Sequence, residues 1–113
     1  MPGTAAAPPL EIDPTALAAM RDSGQALQLL DVREGWEFEI CSIAGSLNIP
    51  MGQVPGRAGE LARDRPLVVL CHHGGRSMQV TRWLRSQGFD QATNLAGGID
   101  VWARQIEPGM ATY

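Results

Sequence analysis

Apolar residues recur along this chain in short blocks, some with a helical period and some nearly continuous. Glu11-Ile12 reads as a short strand leading into a helix. Asp13 suits the helix N-cap and Pro14 the first helical position. Leu17, Met20 and Ala16 give that helix an apolar face, and Ser23-Gly24 ends it. Residues 26–32 form a near-continuous apolar run, which predicts a strand buried on both faces, as in a parallel sheet. Residues 34–40 begin acidic and read as a short helix, and residues 46–50 as a strand closed by proline. Residues 51–61 hold glycines and a proline, so turns and one weak helix are expected there.

Pro66-Leu67-Val68-Val69-Leu70 has the strongest strand character: apolar, rich in β-branched residues and bounded by proline. Gly74-Gly75 breaks it. Residues 76–87 then form an amphipathic helix with Met78, Val80, Thr81, Trp83 and Leu84 on and around its buried side, stopped by Gly88. Residues 92–95 read as a fifth short strand. After Gly97-Gly98, residues 99–106 form a last helix around Val101, Trp102 and Ile106. Strands alternating with helices predict an α/β fold with a mostly parallel sheet and helices on both faces. Ligands of such sheets bind beyond the C-terminal strand ends.

A length of 113 residues suits one domain, and 44% hydrophobic against 19% charged residues argues against general disorder. Residues 1–9 are rich in Ala, Pro and Gly and read as a mobile leader, leaving residues 10–113 as the domain. The start has neither cationic residues nor a useful apolar stretch, so no signal peptide is expected. The longest apolar run, residues 67–71, is too short to span a membrane. The net charge of −3 and the lack of a basic run argue against nucleic-acid binding. All nine cationic residues are arginines, each a permanently charged anion-binding fork. The two cysteines, Cys41 and Cys71, are too few for a disulfide scaffold and do not form C-x-x-C. A reducing, cytoplasmic setting is therefore expected.

The chemistry is expected at Cys71-His72-His73-Gly74-Gly75-Arg76-Ser77. A buried strand delivers a cysteine to the functional edge of the sheet. A glycine-containing loop and a helix N-terminus follow, which together make an anion nest of backbone N–H groups. Arg76 adds a full positive charge. A thiol in that setting is expected to ionise easily and to act as a nucleophile. Adjacent histidines with no standard ligand spacing do not suggest zinc, so no metal is expected.

The chain resembles the single-domain rhodaneses, a family of sulfurtransferase modules. The resemblance rests on Leu29-Leu30-Asp31-Val32-Arg33-Glu34, Ile43-Ala44-Gly45-Ser46-Leu47-Asn48-Ile49-Pro50, the Cys71–Ser77 loop, and Asn94-Leu95-Ala96-Gly97-Gly98-Ile99-Asp100-Val101-Trp102. It implies a parallel five-stranded sheet between helices, with Cys71 carrying sulfur as a persulfide. It also implies that the backbone N–H groups of His72, His73, Gly74, Gly75 and Arg76 cradle the outer sulfur. Ser77, Asp31 and Arg33 stand as supporting residues, the last two mainly as a structural anchor. The implied partners are a small sulfur-containing anion as donor and cyanide or a thiol, a protein thiol included, as acceptor. No cofactor is implied.

The loop reads C-x4-R, whereas the similar tyrosine phosphatases of this fold use C-x5-R. The shorter ring suits one sulfur atom and grips a phosphate badly, which sets phosphatase or arsenate reductase activity behind sulfur transfer. A sulfur-carrying or regulatory module with little free turnover is the main rival expectation. Trp36 is placed at the pocket mouth, and Trp83 and Trp102 in the core. Cys41 follows the acidic segment 34–39, with no basic residue adjoining it in sequence, and is expected to be a packing residue.

Overall fold

Leu67, Val68, Val69 and Leu70 form the central strand, and all four are buried. Alternation along this strand sends Leu67 and Val69 into one apolar cluster and Val68 and Leu70 into another. Two buried faces need two covering layers, and the rest of the chain supplies them. The computed structural model describes residues 8–113. Its elements run β1 (Glu11–Ile12), α1 (Pro14–Asp22), β2 (Gln28–Asp31), α2 (Gly35–Ile40), β3 (Leu47–Asn48), α3 (Val54–Arg57), β4 (Leu67–Leu70), α4 (Gly75–Ser86), β5 (Ala92–Leu95) and α5 (Gly98–Gln105).

The five strands lie in the order β1-β5-β4-β2-β3, and every pairing is parallel. One face is closed by Val80 and Leu84 of α4 with Val54 of α3 and Leu61. The other is closed by Leu17 of α1 with Ile99 and Trp102 of α5. Register places Asp31 beside Leu70 on one flank of β4 and Asn94 beside Val69 on the other. The C-terminal ends of β2, β4 and β5 therefore lie side by side. Cys71 follows β4 on the α4 side, within the same cluster as Val69 and Val80.

Asp13 caps α1 as expected, its Oδ1 accepting from the Ala16 N–H at 2.8 Å, with Pro14 in the first turn. Two expectations are corrected. Pro8 and Pro9 are not a loose leader: the carbonyl of Pro8 accepts from Arg85 at 2.6 Å and that of Pro9 from Thr93 Oγ1 at 2.6 Å. The remainder of that leader, residues 1–7, lies outside the described residues. Trp83 is only partly buried: it packs against the edge of the α4-side core and lines an open groove with Met51, Val54 and Pro55. Residues 51–60 hold the expected turns and one weak helix, the four-residue α3 flanked by 3-10 turns at Met51–Gln53 and Ala58–Glu60.

Candidate active site

Cys71 is 1% exposed, and three donors converge on its sulfur. The Gly74 N–H lies 3.1 Å from Sγ, the Ser77 N–H 3.4 Å and the Ser77 hydroxyl 3.2 Å. Gly74 is the N-cap of α4 with φ 105°, a left-handed conformation that glycine adopts without strain and that folds the loop back over the sulfur. Ser77 then stands at the third helical position, where its N–H has no partner within the helix. The sulfur takes that place, so the start of α4 is completed by Cys71 itself. Three donors are thus aimed at one sulfur from the start of a helix.

The loop is fastened from below. The Ile99 N–H donates to the Cys71 carbonyl at 2.9 Å, and the Asp100 N–H to the His72 carbonyl at 3.1 Å. These are first-turn N–H groups of α5, and they come this close because Gly98 has no side chain. A Cβ on Gly98 would collide with the carbonyl oxygens of Cys71 and His72. Asn94, fully buried at the end of β5, donates to the Gly74 carbonyl at 3.2 Å and to Glu11 Oε2 at 2.9 Å.

Arg76 stands on the first turn of α4, but its fork is occupied. Nη1 and Nη2 donate to the two carboxylate oxygens of Glu37 at 2.7 and 2.9 Å. Glu37, on α2, also accepts from the Glu34 N–H at 3.0 Å and from the Tyr113 hydroxyl at 2.8 Å. The Arg76 hydrogen bonds outweigh burial and hold the Glu37 carboxyl at a pKa of about 2. Asp31 and Arg33 form a wholly buried pair at 2.6 Å. Arg33 further donates to the carbonyls of Cys41 at 2.7 Å and Glu37 at 3.2 Å, and to the Tyr113 hydroxyl at 2.9 Å. Burial works against the Arg33 charge, yet bonds to Asp31 and Tyr113 hold its pKa above the usual value.

Tyr113 thus links both ion pairs through one hydroxyl. Burial, opposed by the Arg33 hydrogen bond and helped by Glu37, raises its pKa to about 12. Its ring stacks on His72, with centroids 4.0 Å apart and planes at 14°. Burial, then the neighbouring His73, lower the His72 pKa, so its ring favours the neutral form. His73 is largely exposed, with Nδ1 3.8 Å from Asp100. Trp36 is 61% exposed and meets Tyr113 edge-on at 6.1 Å.

The structure brings Cys71, Gly74 and Ser77 together on one sulfur and places Arg76 at the side against Glu37. Ser77, expected as a supporting residue, touches the sulfur directly. Glu37, Asn94 and Tyr113 were not legible as site residues. Glu37 sits three residues after Glu34 in an acidic run whose only local signal is a helix start. Asn94 and Tyr113 arrive from 23 and 42 residues beyond Cys71, and only tertiary structure places them. Cys41 has a basic neighbour after all: Arg33 Nη1 lies 3.8 Å from its sulfur, because α2 folds back over the end of β2. Among the described residues, no group of three or more His, Cys, Asp or Glu side chains is arranged to hold a metal ion. No described helix is long and apolar enough to cross a membrane.

A model of the rhodanese-like domain matches residues 13–105. The chain is 42% identical over 90 residues to the Rhodanese-like/PpiC domain-containing protein 12, chloroplastic, of Arabidopsis thaliana, covering 76% of this chain and 30% of that protein. It is 36% identical over 101 residues to a protein named Sulfurtransferase from Allochromatium vinosum, covering 89% of this chain and 94% of that one. Among solved structures, a rhodanese-related protein from Thermoplasma volcanium matches with a TM-score of 0.79 at 33% identity, over 87% of this chain and 94% of that one. The chain spans between about a quarter and a half of the length of the first curated relatives it matches. A parallel five-stranded sheet that delivers a cysteine to a glycine-rich loop, together with a domain match over residues 13–105, places this chain in the rhodanese-like family.

Proposed function

We propose that this protein is a sulfurtransferase that carries a sulfane sulfur on Cys71 as a persulfide. The observation that supports this most is the convergence of the Gly74 N–H, the Ser77 N–H and the Ser77 hydroxyl on Cys71 Sγ. The thiolate of Cys71 attacks the outer sulfur of a donor. With thiosulfate the S–S bond of the donor breaks, sulfite leaves with the electron pair, and Cys71–S–S⁻ remains. An acceptor thiolate or cyanide then attacks the outer sulfur, forms a persulfide or thiocyanate and returns Cys71 to its thiolate. Storage on the enzyme between two half-reactions is ping-pong chemistry.

The chain supplies each need of that cycle from its own residues. The N–H groups at the start of α4 stabilise negative charge on the bound sulfur. The Ile99 and Asp100 N–H groups hold the Cys71 and His72 carbonyls against the start of α5. The loop from Cys71 to Arg76 is a ring of six residues, a size that suits a single sulfur atom better than a tetrahedral phosphate.

Thiocyanate release from a sulfane donor and cyanide, measured beside sulfur transfer to a protein thiol, tests the proposal. Cys71-dependent release supports an enzyme with free turnover. Transfer to the protein thiol without thiocyanate release supports a sulfur-carrying module. Neither activity, in folded protein whose Cys71 is reduced, would contradict both.

A further inference from the structure

Resting on that proposed chemistry, we infer that Glu37 is the specificity-determining residue of the site, and that it turns the loop away from dianionic donors toward organic hydropersulfides, R–S–SH. Four hydrogen bonds hold the Glu37 carboxylate in place: two from Arg76, one from the Glu34 N–H and one from the Tyr113 hydroxyl. The carboxylate cannot swing aside to release Arg76 without losing all four. Arg76 is therefore not a free cation waiting for an anion. The other arginines reached by the contacts of the site are also paired, Arg33 with Asp31 at 2.6 Å and Arg104 with Asp100 at 2.9 Å. His72 favours its neutral form under Tyr113.

What the loop offers a donor is a set of backbone dipoles suited to one sulfur atom, with a cation at its side whose charge Glu37 already offsets. Thiosulfate brings two negative charges to that setting. A hydropersulfide brings at most one, on the sulfur that the N–H groups receive. In the loading step the Cys71 thiolate bonds to the outer sulfur of R–S–SH, the donor S–S bond breaks, and the thiolate R–S⁻ leaves with the electron pair. The proton remains on the new persulfide or passes to solvent, and no oxidant or reductant is consumed.

The test is the rate of loading of Cys71, followed by mass spectrometry, from thiosulfate and from the hydropersulfide of 2-mercaptoethanol. Glu37→Gln keeps the shape of the side chain and removes its charge. It is expected to raise the ratio of thiosulfate to hydropersulfide loading on the order of tenfold. The double variant Glu37→Gln/Arg76→Gln is expected to lose that rise, because the freed guanidinium carries it. A ratio unchanged or lowered in folded Glu37→Gln overturns the inference. The unsubstituted protein provides a second measurement. A site with a free cation loads a dianion more slowly as salt increases, whereas a site screened by Glu37 loads it at a constant or rising rate. A steep fall of thiosulfate loading with ionic strength overturns the inference while leaving sulfur transfer intact. Loading from neither donor defeats the sulfur-transfer reading itself.

Discussion

The Arg76 guanidinium and the Glu37 carboxylate form a two-pronged ion pair, at 2.7 and 2.9 Å, between the first turn of α4 and α2. The glutamate side chain is 5% exposed and the arginine 38%. Removing one partner of so buried a pair leaves the other desolvated and uncompensated. Arg76→Ala is therefore expected to lower unfolding free energy by about 3 kcal/mol, beyond any effect on donors. Urea denaturation measures it. A loss smaller than about 1 kcal/mol, the size of an exposed pair, would mean that the carboxylate finds water.

The same pair predicts how stability depends on pH. The Glu37 carboxyl falls from 4.5 to about 2 on folding, so its contribution is fully present above pH 4.5. It is lost as pH falls toward 2, because the unfolded chain takes up the proton first. The span corresponds to about 3 kcal/mol. Denaturation midpoints between pH 6 and 2 are expected to drop more steeply in the unsubstituted protein than in Glu37→Gln. Parallel curves would contradict the assignment.

The protein has one tyrosine, so its phenol can be titrated without interference from others. Burial and the hydrogen bond to Glu37 raise Tyr113 to about 12, against the opposing pull of Arg33. Ultraviolet difference spectroscopy is expected to show ionisation well above the ordinary value of 10. In Glu37→Gln the midpoint is expected to fall, since the neighbouring negative charge is gone. An ordinary midpoint in the folded, unsubstituted protein would show that Tyr113 stands free in solution.

Gly98→Ala tests the support beneath the loop. Its φ is +62°, and the added Cβ meets the carbonyl oxygens of Cys71 and His72, which are backbone and cannot turn aside. The substitution is expected to cost on the order of 2 kcal/mol and to slow Cys71 loading more than it disturbs the far-UV spectrum. Full loading activity would mean that the contact between α5 and the loop is dispensable.

The alternation of short apolar blocks was enough to anticipate the sheet, because a strand such as Leu67–Leu70 can be buried on both faces only between two helical layers. The Cys71 loop was legible for a similar reason. Its residues are consecutive, and glycine and helix-start chemistry act over a few positions. The partner of Arg76 was not legible. Glu37 is 39 residues away in sequence, and the charges flanking it, Glu34 and Glu39, look the same in sequence. Only the parallel crossover decides which of the three meets the loop. Tyr113 and Asn94 were hidden in the same way. Cys41 appeared isolated because Arg33, eight residues earlier, approaches it only once α2 folds back.

Carriage of the transferred sulfur by Cys71 can be read from the mass of the protein. Intact-mass and peptide-level mass spectrometry, after brief exposure of the reduced protein to a sulfane donor, is the measurement. The mass of one added sulfur atom on Cys71 is expected, discharged by cyanide as thiocyanate in equal amount. It is expected to be absent from folded Cys71→Ser protein, because a hydroxyl cannot hold sulfane sulfur. Dischargeable sulfur on Cys41 instead, or thiocyanate formed by the Cys71→Ser protein, would rule out Cys71 as the sulfur carrier.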